Sequence, residues 1–208
     1  MNRRVLLILA VLLVNLLPAF AETIVVPTVG QYSTIDTSID IQLIEDLKSA
    51  DSTKKEKALK EIIDNLNKHN PVVACLAGNI IFKEKDKFTG LRLYFIGRLR
   101  VTYDILRCAD KTVQDTLQVI DEMFGPDFLN YINSNEPDYK RANIEAIDFF
   151  ESNDELYDQR WINLRGMAAV REGVSGKPSE NPLSVPKLEW QEIKKKIVES
   201  YRKTFPKP

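Results

Sequence analysis

Apolar residues recur at the spacing of an α-helix along most of this 208-residue chain. The clearest case starts at Thr53, which forms a capping-box pattern with Glu56. Apolar side chains then follow at i, i+3 and i+4 positions: Ala58, Leu59, Ile62, Ile63 and Leu66. No segment alternates apolar and polar residues for long enough to require a β-sheet. We therefore predict an all-α fold, with helical hairpins packed into one domain.

Caps and breaks divide the rest of the chain into further helices. Asn70 and Pro71 are typical of a helix N-cap and first turn. Gly125 and Pro126 end the helix predicted at residues 112–124. The pattern predicts helices at residues 38–49, 53–69, 71–82, 88–107, 112–124, 137–151, 157–170 and 186–204, with a short helical turn at 128–132. Glycines and prolines within residues 172–185 indicate a loop.

The first 21 residues have the three parts of a signal peptide. Arg3 and Arg4 precede an apolar run at residues 5–17, and residues 19–21 form a small-x-small cleavage pattern. We expect cleavage before Glu22 and a periplasmic or secreted protein, with no stable membrane insertion afterwards. A helical membrane anchor is the alternative, but the run is shorter than the ~20 residues that span a bilayer.

Cleavage would leave an N-terminal arm at residues 22–37 and an all-helical domain at residues 38–208. The full chain has 29 basic and 30 acidic residues, and excision removes two arginines, so the remainder carries a net charge of minus three. Basic and acidic residues are interspersed, which argues against a nucleic-acid partner. Motifs for nucleotide or zinc binding are missing from the sequence, so we expect no cofactor and no metal.

The predicted hairpin at residues 71–107 contains three glycines whose spacing is informative. They are Gly78, Gly90 and Gly97, with Ile81 between the first two and Tyr94 between the last two. The pattern resembles one tetratricopeptide or Sel1-like unit, in which two antiparallel helices meet through small residues. Independently of that resemblance, glycine inside a helix is unfavourable and is best explained by a close approach of two backbones.

Cys75 and Cys108 are candidates for a disulfide, because an oxidising compartment favours pairing of an even number of cysteines. The hairpin geometry argues against the bridge. If its turn centres on Asp86, Cys75 lies opposite residue 97, about 16 Å along a straight helix from Cys108. Either the second helix bends after Gly97 or both thiols stay free.

Residues suited to catalysis are few. His69 is the only histidine, and we interpret it as a residue at a helix C-terminus. Five carboxylates close together in the sequence are candidates for a calcium or acid–base site: Asp148, Glu151, Asp154, Glu155 and Asp158. They lack the spacing of a calcium-binding loop. We therefore assign no catalytic residue.

Two segments have the arginine and aromatic content of protein-binding hot spots. The first runs through residues 94–103, with Arg92 just before it, and the second through residues 157–165. The candidate binding residues are Arg92, Tyr94, Arg98, Tyr103, Tyr157, Arg160 and Trp161. Buried aromatics with flanking arginines at the edge of a core are the alternative interpretation.

These observations predict an exported, non-enzymatic module that binds another protein. A periplasmic immunity protein that neutralises a toxic effector is the narrower hypothesis, and an envelope assembly factor is another. The rival is an envelope hydrolase that uses carboxylates near residues 155–165.

Overall fold

The computed structural model describes residues 26–207, and within them the fold is all-helical, as predicted. The α-helices are α1 (Ser38–Lys48), α2 (Ser52–Asp64), α3 (Pro71–Glu84), α4 (Lys87–Arg107), α5 (Thr116–Phe124), α6 (Pro126–Ser134), α7 (Glu136–Ser152), α8 (Met167–Ser175) and α9 (Trp190–Thr204). Short 3-10 helices lie at Gly30–Thr34, Lys111–Val113, Gln159–Arg165 and Lys187–Glu189. The predicted signal peptide, residues 1–21, lies outside the described residues.

Side-chain caps explain why several helices begin where they do. Asn70 Oδ1 accepts hydrogen bonds from the backbone N–H groups of Val72 and Val73, which confirms the predicted start of α3. The predicted cap of α2 was two residues late. Asp51, rather than Thr53, is the N-cap, and its carboxylate accepts from the backbone N–H groups of Thr53 and Lys54.

The three hairpin glycines lie where α3 and α4 touch. A Cβ added at Gly78 would lie 2.7 Å from the carbonyl oxygen of Gly90, and one added at Gly90 would lie 2.4 Å from the backbone nitrogen of Phe82. A Cβ at Gly97 would lie 2.4 Å from Sγ of Cys75. The predicted close approach of the two helices is therefore confirmed, while the family resemblance stays a prediction.

The main core surrounds this hairpin. Helix α4 contacts α7 on another side, and α9 packs against both. The side chains of Leu91, Ile96, Phe128, Ile147 and Phe150 are almost fully buried there. Helix α4 is therefore the central element of the described fold, and it contacts α3, α5, α7 and α9.

The region after α7 differs from the sequence prediction. Instead of one helix over residues 157–170, the 3-10 helix Gln159–Arg165 ends at Gly166, and α8 then runs to Ser175. Asp110 explains the break, because its Oδ2 accepts from the backbone N–H of Ala168 at 2.9 Å. A Cβ at Gly166 would lie 2.3 Å from that same oxygen. Packing against a residue distant in sequence therefore divides the segment.

The predicted loop at residues 172–185 also begins later than expected. Helix α8 ends at Ser175, and the C-cap residue Gly176 has a φ of +64°, a left-handed conformation that favours glycine. The rest of the loop is fixed to the end of α4. The backbone N–H of Ala109 donates to the carbonyl of Leu183, and that of Val185 donates to the carbonyl of Arg107.

The cysteines are free and both are buried, so the predicted disulfide is not present. Helix α4 continues without a break to Arg107, so it does not bend Cys108 back towards Cys75. Cys75 lies against Gly97 within the hairpin, whereas Sγ of Cys108 lies 3.2 Å from Oδ1 of Asn163. The two thiols therefore occupy different parts of the core.

Within residues 26–207, no helix combines the length and the apolar character that a membrane span needs.

Candidate binding groove and buried charged cluster

An open apolar groove of about 500 Å³ lies where α4, α5, α6 and α7 meet. We call it the α4–α7 groove. Its apolar lining includes six side chains: Tyr94, Phe95, Phe128, Leu129, Ile132 and Tyr139. Helix α6 follows α5 at the turn of Gly125 and Pro126 and lines the groove, and Asn79 of α3 bonds to both sides of that turn. The Asn79 side-chain amide donates to the carbonyl of Phe124 and to the carboxylate of Asp127.

Packed aromatic rings form the floor of the groove. The rings of Tyr94 and Phe128 are stacked, with centroids 4.4 Å apart, and Phe95 meets Tyr139 edge-on at 5.6 Å. Phe128 is completely buried, whereas Leu129 is 57% exposed at the rim. An aliphatic side chain of this size, exposed beside a floor of packed aromatic rings, is suited to contact with a partner's apolar residues.

One polar edge of the groove is fixed by Asp121. Nε and Nη2 of Arg98 each donate to its carboxylate at 2.7 Å, and the Tyr94 hydroxyl donates to Oδ1 at 2.7 Å. Burial, together with this bond to a carboxylate, raises the pKa of Tyr94 far above its usual value. The phenol is therefore a neutral donor at any physiological pH, and the edge is preorganised.

A second group of predicted residues meets at a buried carboxylate on α4. Asp104 is fully buried and accepts from the Tyr157 hydroxyl at 2.8 Å and the Trp161 indole at 2.7 Å. Arg107 forms an ion pair with the other oxygen of Asp104. The Arg107 guanidinium also lies 3.7 Å from the Tyr103 ring centroid. We call these five residues the Asp104 cluster.

Four residues of the cluster are buried, and the polar groups of Tyr157, Trp161 and Arg107 bond to Asp104. Tyr157 is half-buried and also lines a pocket beside His69. Burial raises the pKa of the Asp104 carboxyl, and the Arg107 ion pair opposes that shift. Arg100, which is 1% exposed, extends the network by donating to the carbonyls of Leu66 and His69. Its guanidinium stacks 4.5 Å from the Tyr157 ring.

The seven predicted binding residues thus fall into separate places. Tyr94 and Arg98 lie in the α4–α7 groove, whereas Tyr103, Tyr157 and Trp161 belong to the Asp104 cluster. The two remaining arginines form ion pairs, Arg92 with Glu145 and Arg160 with Asp158. The sequence interpretation missed Phe128, Leu129 and Ile132, although the Gly125–Pro126 break next to them was a usable signal.

His69 is not at a helix C-terminus, which corrects the sequence interpretation. It directly precedes the N-cap of α3, and its Nδ1 lies 3.2 Å from Asp40 Oδ1 while its Nε2 lies 3.4 Å from Glu61 Oε1. The hydrogen bond with Asp40 is the main cause that raises the His69 pKa, and it outweighs the effect of burial. The ring therefore links α1 to the corner between α2 and α3.

The carboxylates of the rival hydrolase hypothesis do not converge. Asp158 caps the 3-10 helix and accepts three side-chain hydrogen bonds from Nε and Nη2 of Arg160, whereas Glu155 lies 3.7 Å from Lys194. The described part of the chain contains no cluster of three or more His, Cys, Asp or Glu side chains arranged to hold a metal ion.

No protein-family model, curated protein or solved structure matches this chain.

Proposed function

We propose that this chain is an exported, non-enzymatic module that binds another protein through the α4–α7 groove. The observation that carries the proposal is an open groove of about 500 Å³ whose apolar floor is made of packed aromatic rings and whose rim exposes Leu129. The resemblance of the α3–α4 hairpin to a tetratricopeptide or Sel1-like unit agrees with it, since such helical units present binding surfaces.

Export rests on the signal-peptide pattern of residues 1–21, with cleavage before Glu22. A periplasmic or secreted location follows from it. A fusion of residues 1–40 to a reporter that is active only after export tests this part. Activity should disappear when the apolar run is interrupted by charged residues, and activity that survives the interruption would contradict export.

Our narrower proposal is an immunity protein that neutralises a toxic effector, and an envelope assembly factor is the second form. The two are distinguished by what the captured partner does. If the partner alone stops growth when directed to the same compartment and co-expression of this chain restores growth, the immunity form is supported. A harmless partner whose assembly fails without this chain supports the second form.

Site-specific photo-cross-linking tests the groove itself. A photoreactive amino acid at Leu129 should give one cross-linked partner, whereas the same amino acid at Val174, 74% exposed on α8, should not. The purified partner should then bind the wild-type chain at one-to-one stoichiometry.

Matched variants complete the test. Leu129→Lys should abolish binding of the purified partner, and Val174→Lys should leave it intact, because only the first places a charge against the apolar floor. If Leu129→Lys binds the partner as tightly as wild type, the groove is not the binding site and the proposal is wrong.

A further inference from the structure

We infer that the partner's segment in the α4–α7 groove is basic and carries large apolar side chains, an inference that rests on the proposed function of that groove. The charge distribution along the chain is the first observation. Residues 112–139 contain six acidic residues and no lysine, arginine or histidine. This stretch supplies α5, α6 and the start of α7, which form much of the groove.

The acidic residues of this stretch differ in how they are compensated. Arg98 pairs with Asp121, Lys83 with Asp127, Lys140 with Glu136 and Arg141 with Asp138. Each of these cations comes from outside the stretch and neutralises one carboxylate. These four residues therefore add little net charge to the groove.

Glu122 and Asp115 remain. Glu122 lines the groove, is exposed, and accepts a hydrogen bond from the Gln118 side-chain amide at 2.9 Å, which is a neutral donor. Asp115 is the exposed N-cap residue of α5, two helical turns before Glu122, so both lie on the same side of that helix. No basic side chain in residues 26–207 forms an ion pair with either carboxylate.

The groove therefore combines an apolar floor with uncompensated negative charge on one wall. The charged residues of its lining are one arginine, already paired, and two carboxylates, Asp121 and Glu122. Met123, next to Glu122 on α5, is an exposed apolar side chain with 61% of its surface accessible. A segment with Lys or Arg beside its apolar anchors matches both features, whereas an acidic segment would meet like charge.

Two synthetic helical peptides test this with the purified chain. They share the same Leu and Phe residues on one face and carry either Lys or Glu on the other. We expect the Lys peptide to bind at least about tenfold more tightly in about 50 mM salt, with the difference shrinking in about 500 mM salt because exposed charges are screened.

Variants connect the preference to the carboxylates. The double variant Asp115→Lys with Glu122→Lys should remove or reverse the preference for the Lys peptide. The control is Glu45→Lys, an exposed acidic position on α1, which does not line the groove. This control should keep the preference of the wild-type chain.

The outcomes separate the two proposals. Equal binding of both peptides, lost in Leu129→Lys, would overturn the basic-segment inference and leave the groove as a binding site. Failure of the Lys peptide to bind, or a preference unchanged in the double variant, also overturns the inference, while the cross-linking experiment at Leu129 still decides the proposed function. Peptide binding unaffected by Leu129→Lys would overturn both.

Discussion

The indole N–H of Trp161 donates to Oδ2 of Asp104 at 2.7 Å, and this bond fixes the 3-10 helix after α7 to the middle of the core. The same oxygen accepts from Tyr157, and the other one pairs with Arg107. Each oxygen of this buried carboxylate therefore has at least one hydrogen-bond or ion-pair partner. Removing Asp104 therefore takes away the acceptor that Trp161, Tyr157 and Arg107 share.

We predict that Asp104→Asn destabilises the protein by about 3–5 kcal/mol, since the variant leaves the Arg107 guanidinium buried without a counter-charge. Urea denaturation at neutral pH measures the free energy of unfolding. The matched control replaces both charges, Asp104→Leu with Arg107→Met, and should cost less than the single variant. A single variant within about 1 kcal/mol of wild type would contradict a buried ion pair.

At the α3–α4 contact, Gly90→Ala should destabilise by about 1–3 kcal/mol or more, because the new methyl group would meet the backbone of Phe82. The control is Gly176→Asn, because a Cβ added at Gly176 would have no neighbouring atom within 4 Å and asparagine tolerates a positive φ. Thermal unfolding should shift down for the first variant and little for the second. Equal melting temperatures for Gly90→Ala and wild type would show that the helices are not this close.

Stability should depend on the protonation of His69. Its pKa is raised in the folded state by the hydrogen bond with Asp40, against the opposing effect of burial. The contribution is fully present below the unfolded-state pKa of about 6.5 and is lost as pH rises through the higher folded-state value. We expect the free energy of unfolding to fall over that window in wild type, with a much smaller fall in His69→Gln.

The Asp40→Asn variant checks the partner in this effect. It removes the carboxylate on α1 that faces Nδ1, while Glu61 on α2 still faces Nε2. The pH dependence should therefore be reduced but not abolished. A wild-type curve that is flat from about pH 6 to about pH 9 would disagree with the raised pKa.

Both cysteines should be unreactive in the folded protein. Burial raises the pKa of Cys75 to about 12 and that of Cys108 to about 11, so little thiolate exists at neutral pH. Alkylating reagents should label both thiols only after unfolding, and a reductant should leave the melting temperature unchanged. An intact mass two hydrogens below that of the dithiol would instead reveal the bridge that this fold disfavours.

Leu129→Lys should leave folding intact, which the binding experiments need. The side chain is more than half exposed, and surface substitutions usually change stability by no more than about 0.5 kcal/mol. Urea denaturation of this variant and of Val174→Lys should give midpoints close to that of wild type. If Leu129→Lys alone lost much of its stability, its loss of binding would result from unfolding and not from the charge in the groove.

Local signals in the sequence were sufficient to predict most of the helices. Asn70 with Pro71 starts α3, and the apolar spacing after residue 53 defines α2, because caps and periodicity act within a few residues. Gly78, Gly90 and Gly97 likewise indicated a close helix contact, since few other reasons retain glycine inside a helix.

The candidate site was only partly accessible from the sequence. Tyr94 and Arg98 were chosen by composition and do lie in the groove, but the same criterion chose Tyr103, Tyr157 and Trp161, which the fold gathers around Asp104. Arginine and aromatic residues occur in both settings. Composition alone could not separate a surface hot spot from a buried polar network.

The amino-acid sequence by itself determined the helical class and most helix limits, because backbone hydrogen bonds and caps are made between neighbours in the chain. Only the tertiary structure decided that α4, α5, α6 and α7 together line the groove, that Asp110 divides the segment around Gly166, and that the two thiols lie apart. Those features depend on contacts between residues far apart in sequence. Their geometry follows from how whole helices pack, which local periodicity does not encode.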